Sequence, residues 1–433
     1  MTEKPATLRP IHYLGNKAKF LSPIVSGVVE LTPSGRSILD LFAGSGVVSR
    51  EFARHRPVVS VDIQAYSATL AGALCAPRAY GRSTRQRIAA RAREWLDDVT
   101  PKVADLLEYE AAVSKSALSA PERFARLVEE GSLTSLVATD EDLARAKMSA
   151  EPQLASARAM LTSYYGGVYF SYAQALELDA LLAAIRHQHE APAEATLVAA
   201  VLGTASDLVS TVGSHFAQPS RLRDKSGAVK ATVAARVLRA RSNSALELFD
   251  RWLQRYASLD PAGYPCTTTT ADFRAVLDTL DASVGAIYAD PPYTRDHYSR
   301  FYHVLETIAL GDDPGVSLAP GTSVPSRGLY RAQRHQSPFS IRSEVVGAFD
   351  SIFVAAKRQR LPLVLSYSPQ GGGTKARPET RLMTIEGLVN RAEGFFTSVT
   401  VHPIAASSHS RLNRTEYNGE LPAHAEVLIV ARP

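Results

Sequence analysis

Asp290-Pro291-Pro292-Tyr293 joins four residues of complementary chemistry. The Asp290 carboxylate and the Pro291 carbonyl are neighbouring hydrogen-bond acceptors, and Tyr293 adds an aromatic face. Proline restricts φ, so the Pro291 carbonyl points in a set direction. An exocyclic amine on an aromatic ring offers two N–H donors and a lone pair delocalised into the ring. Acceptors that hold those donors bring the lone pair towards an electrophile, while an aromatic side chain stacks on the base. The tetrad therefore suits chemistry at the amine of a nucleobase, and a base in a duplex has to leave the stack before such a site can reach it. As a plain structural motif the same residues would be a strand stop, because neither proline can donate to a ladder.

Such acceptors need a rigid mount. Residues 284–289 form an unbroken apolar run ending at Asp290, the pattern of a central strand in a parallel sheet. Ligands bind at the carboxyl ends of such strands. Residues 37–41 read as a second strand, running into Phe42-Ala43-Gly44-Ser45-Gly46 and then into helix-like sequence over 47–54. Glycines let backbone amides approach a ligand, and the helix N-terminus favours an anionic group; taken alone, a short Gly-x-Gly is also a tight turn. Residues 57–63 give another strand ending in Asp62, roughly 20 residues past the turn, where an acid can reach ribose hydroxyls. The third glycine of a dinucleotide fingerprint is missing, so a single nucleoside-type cofactor is expected rather than NAD. Further strands are expected at 267–270, leading to Asp272-Phe273, and at 361–366, 396–404 and 426–431. The implied fold class is α/β: a Rossmann-like sheet carrying a large, mainly helical insertion.

Residues 65–262 are rich in Ala, Leu, Arg and Glu, with helical periodicity at 87–107, 120–130, 174–187, 193–210 and 231–256. A segment this long between two strands is a domain rather than a loop. The chain thus divides into a discontinuous unit, 1–64 with 263–433, and an inserted unit, 65–262. Within the insertion, 163–172 gathers five aromatics around Gly166-Gly167; this reads as buried packing, with base stacking as the alternative. Arg221, Arg223, Lys225, Lys230, Arg236, Arg239 and Arg241 stand against the single acid Asp224 over 215–241. Such a run is either a solvated face or a set of phosphate contacts. Arg411 and Arg414, in the connection between the last two strands, are further candidates of the same kind. Residues 311–342, rich in Gly, Pro, Ser and Arg, read as a long irregular loop of the sort that forms lids or arms. Lys17, at the Gly15-Asn16 turn, is a candidate anion ligand or a solvent-facing lysine.

A chain of 433 residues with 45% hydrophobic and 21% charged residues has a globular balance, and its net charge of +5 is compatible with a polyanionic partner. Cys75 and Cys266 are the only cysteines, which excludes a disulfide framework or a cysteine-rich zinc site and fits a reducing compartment. No metal site is expected. The N-terminal residues carry no apolar signal region, and the most apolar long window, 195–211, is interrupted by Gly203 and Asp207. A cytoplasmic protein without a membrane span is the expectation.

Taken together, Tyr13-Leu14-Gly15-Asn16-Lys17, Asp40-Leu41-Phe42-Ala43-Gly44-Ser45-Gly46, Asp62, Asp272-Phe273 and Asp290-Pro291-Pro292-Tyr293 resemble, in this order, the motifs of a known family. This is the alpha group of S-adenosylmethionine-dependent DNA N6-adenine methyltransferases, which includes the Dam-type methylases. The resemblance covers the two ends of the chain and places the insertion before the Asp-Pro-Pro-Tyr strand, where that family keeps target recognition. It implies S-adenosylmethionine as cofactor, double-stranded DNA as partner and a flipped-out adenine as the reacting base. By the same resemblance Tyr13 and Lys17 would contact the methionine part of the cofactor. Asp40, Phe42, Gly44 and Gly46 would belong to its pocket, Asp62 would bind the ribose and Asp272-Phe273 the adenine ring. Asp290 would sit where cofactor and target meet, with Pro291, Pro292 and Tyr293 completing the catalytic tetrad. Arg221, Arg223, Lys230, Arg236, Arg239, Arg411 and Arg414 would hold DNA, and a cognate restriction or defence partner is compatible with this reading.

Three alternatives stand beside it. A methyltransferase acting on a base amine of structured RNA also uses an Asp-Pro-Pro-aromatic tetrad, but the 13–17 segment and the large insertion argue against it. An N4-cytosine enzyme more often carries serine in place of Asp290. A non-catalytic DNA-binding subunit is opposed by the intact Lys17, Asp62 and Asp290.

Overall fold

The computed structural model describes residues 8–15, 17–135, 138–186, 194–211, 213–292, 295, 297–368, 372–374, 377–379, 382–405 and 424–433. Its centre is a seven-stranded sheet built from β1 (Ser37–Asp40), β2 (Val58–Asp62), β3 (Cys266–Thr270), β4 (Val284–Ala289), β5 (Leu363–Tyr367), β8 (Ser398–Ala405) and β9 (His424–Arg432). A short separate hairpin supplies β6 (Gly372–Thr374) and β7 (Arg377–Glu379), where the sequence reads as a loop. The strand order is β3-β2-β1-β4-β5-β9-β8. The first five strands run parallel, and β9 pairs antiparallel with both β5 and β8. Connections leave β1 towards β2 and β3 on one side, while β4 and β5 lie on the other. The order therefore reverses between β1 and β4, where Leu39 pairs with Ile287 and Asp40 with Tyr288. Their carboxyl ends form the crevice in which such sheets bind ligands.

Every residue of β4 is buried, because both faces of a parallel sheet are covered. Successive side chains point to opposite faces. Ile38, Ala286 and Tyr288 face a core shared with the helices Leu21–Val29, Val47–Phe52 and Ala65–Cys75. Leu39, Ile287 and Ala289 face a second core built with the helices Phe273–Asp278, Val345–Gln359 and Ile385–Glu393. The helices Ala195–Leu208 and Ala245–Ala257 belong to the first core, the former packing on Ala65–Cys75 and the latter on Ala195–Leu208. A third core, separate from both, joins the helices between Val99 and Ala159 to Leu222, Ala234 and Val237.

Local departures from the expected elements have simple causes. The continuous helical pattern over 231–256 is broken into Ala231–Arg241 and Ala245–Ala257. Ser244 caps the second helix by accepting the Glu247 N–H. The pattern over 87–107 is likewise divided, with a 3₁₀ turn Thr100–Val103 containing Pro101 between Arg82–Val99 and Ala104–Lys115. The aromatic segment 163–172 is packing: Tyr165, Tyr169, Phe170 and Tyr172 are fully buried.

Gly46 turns the chain from β1 into Val47–Phe52 in a left-handed conformation, φ +76°, and an added Cβ would lie 2.5 Å from the Ala71 Cα. Gly46→Ala is therefore expected to destabilise the fold by about 3 kcal/mol through strain and overpacking. A thermal melt tests this, and an unchanged Tm would show that the two helices can part freely.

Candidate active site

A single cavity opens at the carboxyl ends of β1, β2, β3 and β4. Segments far apart in sequence build its wall: Tyr13–Gly15 with Lys17, Leu41–Ser45, Asp62–Gln64, Ala271–Phe273, Asp290–Pro292, and His335 with Ser337 and Pro338 each contribute. Of the residues singled out from sequence, Tyr13, Lys17, Phe42, Gly44, Asp62, Asp272, Phe273, Asp290, Pro291 and Pro292 all line it. Tyr293 lies outside the described residues, as do Arg411 and Arg414.

Two of the residues are set behind the wall. Asp40 is completely buried and accepts a hydrogen bond from Ser49 Oγ at 2.6 Å; burial pushes its carboxyl up to about 7. Gly46 is occupied by its contact with Ala71. Gly44 is different. With φ +54°, it would place a Cβ 2.8 Å from the Tyr13 hydroxyl inside the cavity.

The β1 and β2 ends are tied together by Asp62. One carboxylate oxygen accepts the Gly44 N–H and the other the Gln64 N–H, each at 2.9 Å. Burial raises this carboxyl above its ordinary value, and the two N–H groups oppose the shift. Behind it, Glu306 accepts the N–H groups of Ala65 at 3.0 Å and Tyr66 at 3.1 Å, satisfying donors that a helix N-terminus leaves open.

Aromatic rings close the cavity on two sides. Phe42 lies 5.6 Å from Phe273 and 5.3 Å from Phe339, centroid to centroid. Beside them Asp272 caps the helix Phe273–Asp278 by accepting the Arg274 N–H at 2.8 Å. Across the cavity Tyr13 stacks on Tyr302 at 5.0 Å with 12° between planes, and Tyr298 lies 5.8 Å away. The Tyr302 hydroxyl accepts the Leu14 N–H at 2.7 Å, which joins the N-terminal segment to the chain that follows Asp290.

The charged centre is a buried triad. Lys17 Nζ lies 3.0 Å from Asp290 Oδ1 and 3.0 Å from Glu426 Oε1. Ser366 Oγ donates to the same Glu426 oxygen at 3.1 Å. The Lys17 and Glu426 side chains are 5% exposed, whereas that of Asp290 is 19% exposed; Lys17 and Asp290 both line the cavity, and the aspartate is the more open of the two. Burial pushes the Asp290 carboxyl up to about 6, with Lys17 drawing it down and Glu426 pushing it further up. Lys17 is thus not a solvated lysine: it lines the cavity while clamping the tetrad's carboxylate.

Sequence reasoning did not reach Glu426, Ser366, Glu306, Tyr66 or Tyr298. The signal available for Glu426 was an acid inside the otherwise apolar run of β9, since a buried charge requires a partner. For the tyrosines, rings beside the tetrad were visible, but not which of them would face the cavity.

The basic run divides in three. Arg223 is engaged by Glu122 at 2.8 Å and Glu129 at 3.1 Å. Arg241 is buried against Glu110 at 3.1 Å. Arg221, Lys225 and Lys230 are exposed along a second cleft, and Arg236 and Arg239 are exposed on the helix Ala231–Arg241. Among the described residues no cluster of three or more His, Cys, Asp or Glu side chains is arranged to hold a metal ion, and no helix is long and apolar enough to cross a membrane.

Sheet order, the Gly-rich turn and the acid after β2 define a Rossmann-like class I methyltransferase fold with a helical insertion. Residues 13–111 and 243–351 match the model of the family described as D12 class N6 adenine-specific DNA methyltransferases, and over these two segments the chain is similar to that family. Curated relatives include the type II methyltransferase M.FokI of Planomicrobium okeanokoites, 30% identical over 110 residues, which are 25% of this chain and 15% of the relative. The modification methylase LlaI of Lactococcus lactis subsp. lactis is 38% identical over 66 residues, 15% of this chain and 9% of the relative. The chain therefore spans a small fraction of the length of the relatives it matches. Residues 112–242, which fall between the two matched segments, include most of the third core and the basic run.

Proposed function

We propose that the chain methylates the N6 amine of an adenine flipped out of double-stranded DNA, with S-adenosylmethionine as the methyl donor. The observation that carries this reading is the Lys17-clamped Asp290 carboxylate at the wall of a cavity shared with Gly44, Asp62 and Phe273.

The residues fit such a cofactor. Gly44 keeps the cavity wall free of a Cβ that would run into the Tyr13 hydroxyl, Asp62 presents a carboxylate at the end of β2 for ribose hydroxyls, and Phe42 and Phe273 offer apolar faces for an adenine ring. Ser299 Oγ, at the cavity wall, is buried without a hydrogen-bond partner among the described residues. S-adenosylmethionine supplies a methyl group already activated on a sulfonium, so the chain's task is orientation. Asp290 and the Pro291 carbonyl accept the two amine N–H groups, and Tyr293 stacks on the base. As the nitrogen gains its methyl group it sheds a proton, and the ionised Asp290 carboxylate is placed to accept it. Tyr13 and Lys17 complete the cavity, with Lys17 acting through Asp290.

Residues 1–64 and 263–433 supply the catalytic sheet, the helices Ala65–Cys75, Ala195–Leu208 and Ala245–Ala257 of the insertion share its core, and the rest of 65–262 supplies target recognition with Arg221, Lys230, Arg236 and Arg239 on phosphates. Arg223, held by two glutamates, braces that surface. The chain would act in the cytoplasm as the modification component of a restriction or defence system, as the names of the two relatives suggest.

Duplex DNA incubated with methyl-labelled cofactor and digested to nucleosides is expected to give label in N6-methyladenine. Label in cytosine, or in RNA alone, would overturn the proposal. Gly44→Ala is expected to weaken cofactor binding about tenfold by calorimetry, because φ +54° and the 2.8 Å approach to Tyr13 both oppose a side chain. Unchanged affinity would move the cofactor away from this turn.

A further inference from the structure

The segment after the helix His303–Leu310 forms no regular helix or strand before Pro338, as expected, but hydrogen bonds within it order it. Gly311 ends that helix in the left-handed conformation, and the chain then doubles back on itself. Ser317 N donates to Tyr330 O and Ser326 N to Ser317 O, both at 2.7 Å, and Ala319 N donates to Val324 O at 2.8 Å across the tip. Isolated bridges join Val316 to Arg331 and Leu318 to Pro325. The base of this arm is pinned: Arg331 makes two bonds to Asp312, at 2.8 and 2.6 Å, and Tyr169 Oη donates to Gly328 O at 2.9 Å. The arm therefore has a fixed position beside the helical insertion, and the second cleft lies between them. Arg221 and Lys230 line one wall and Arg327 the other.

The cations here fall into two sets. Arg223 and Arg331 are locked to carboxylates. Arg221, Lys230 and Arg327 are exposed and make no ion pair among the described residues. Burial, and next the nearby Arg221, hold the Arg327 guanidinium below its ordinary value, as expected for like charges facing a common space. The same asymmetry continues at the mouth of the catalytic cavity. Arg300 and Arg334 lie 5.7 and 5.3 Å from the centroid of the Tyr330 ring and likewise make no ion pair among the described residues. One Arg334 nitrogen, Nη1, is buried without a hydrogen-bond partner among the described residues. Their chain neighbours Ser299 and His335 line the catalytic cavity. In the cleft five cations, Arg221, Arg223, Lys225, Lys230 and Arg327, outnumber the three acids Glu129, Glu130 and Asp224, and Glu129 is already taken up by Arg223; such an excess of positive charge matches a polyanion that spans the distance between the cations.

We infer that the arm 312–332 and the helical insertion are the two walls of the channel that takes the DNA backbone. Its phosphodiesters are held by Arg221, Lys230 and Arg327 in the cleft and by Arg300 and Arg334 at the cavity mouth. This rests on the DNA reading above and extends it, because half of the contact surface then lies outside residues 65–262.

The test uses the full chain and two double variants, Arg221→Ala with Arg327→Ala and Arg300→Ala with Arg334→Ala. Binding to a fluorescent duplex is followed from 50 to 300 mM salt, set against roughly 0.9 logarithmic units of salt slope per lost phosphate contact. Each double variant is expected to lower the slope by about 2 and to weaken binding about tenfold or more at physiological salt, with cofactor affinity and Tm unchanged. Arg223→Ala should leave the slope where it was. If the unsubstituted chain methylates DNA and both double variants keep its slope, the inference falls while the proposed function stands. Should the unsubstituted chain label RNA and not DNA, the proposed function and the inference fall together.

Discussion

Asp290→Asn is expected to reduce methyl transfer by roughly three orders of magnitude, the scale of a lost general-base or charged acceptor, while the folded state survives or gains stability. The two effects have one origin. Burial holds the Asp290 carboxyl up at about 6, well above its ordinary value. Below the ordinary carboxylate value both folded and unfolded chains keep this proton, so the group has no effect on stability there. As pH rises through about 6 the folded chain must ionise it against desolvation, and stability falls. Asparagine removes that penalty, on the order of 1–3 kcal/mol above neutral pH, and still offers Lys17 an oxygen. Denaturation at pH 8 and pH 4 should therefore show the gain at pH 8 alone. Cofactor affinity, measured by calorimetry, separates lost chemistry from a lost pocket. An asparagine variant with full activity would remove Asp290 from the mechanism. In the unsubstituted chain, turnover should decline as pH drops through about 6, because a protonated carboxyl is a poor acceptor for an amine N–H.

What the sequence revealed depended on how local the physics was. β4 was legible to the residue, since six consecutive buried positions leave no face to alternate with and two prolines end the ladder at once. The β1 turn, Asp62 and Asp272 were legible because each acts on backbone groups within a few residues. Gly46 shows the limit of that approach: its motif pointed to the cofactor, but its Cβ position is closed by Ala71 on the next helix. The arm 312–332 was illegible for a related reason. Glycine, proline and serine mark turns, and the bonds that order the arm run to Asp312, Tyr169 and Ala217 rather than along a periodic ladder. Glu426 was hidden most deeply, because its partner Lys17 is 409 residues away and only the antiparallel return of β9 beside β5 brings them together.

That long-range pair supports the second large effect. Lys17→Met leaves two carboxylates, each formerly 3.0 Å from the same Nζ, without their shared cation. Breaking a buried ion pair from one side destabilises by about 3–5 kcal/mol, which a chemical denaturation series would register directly. The catalytic consequence has a sign. Without Lys17 the Asp290 carboxyl moves above 6, so the acid limb of the activity profile shifts to higher pH and part of the lost turnover returns in alkaline buffer. Glu426→Gln does the reverse, since Glu426 pushes the Asp290 carboxyl up; its acid limb is expected below that of the unsubstituted chain. A purely structural role for the triad would depress activity at every pH and leave the limb in place. Opposite displacements from two residues at opposite ends of the chain would instead identify Lys17 and Glu426 as positioning residues that set the charge of Asp290.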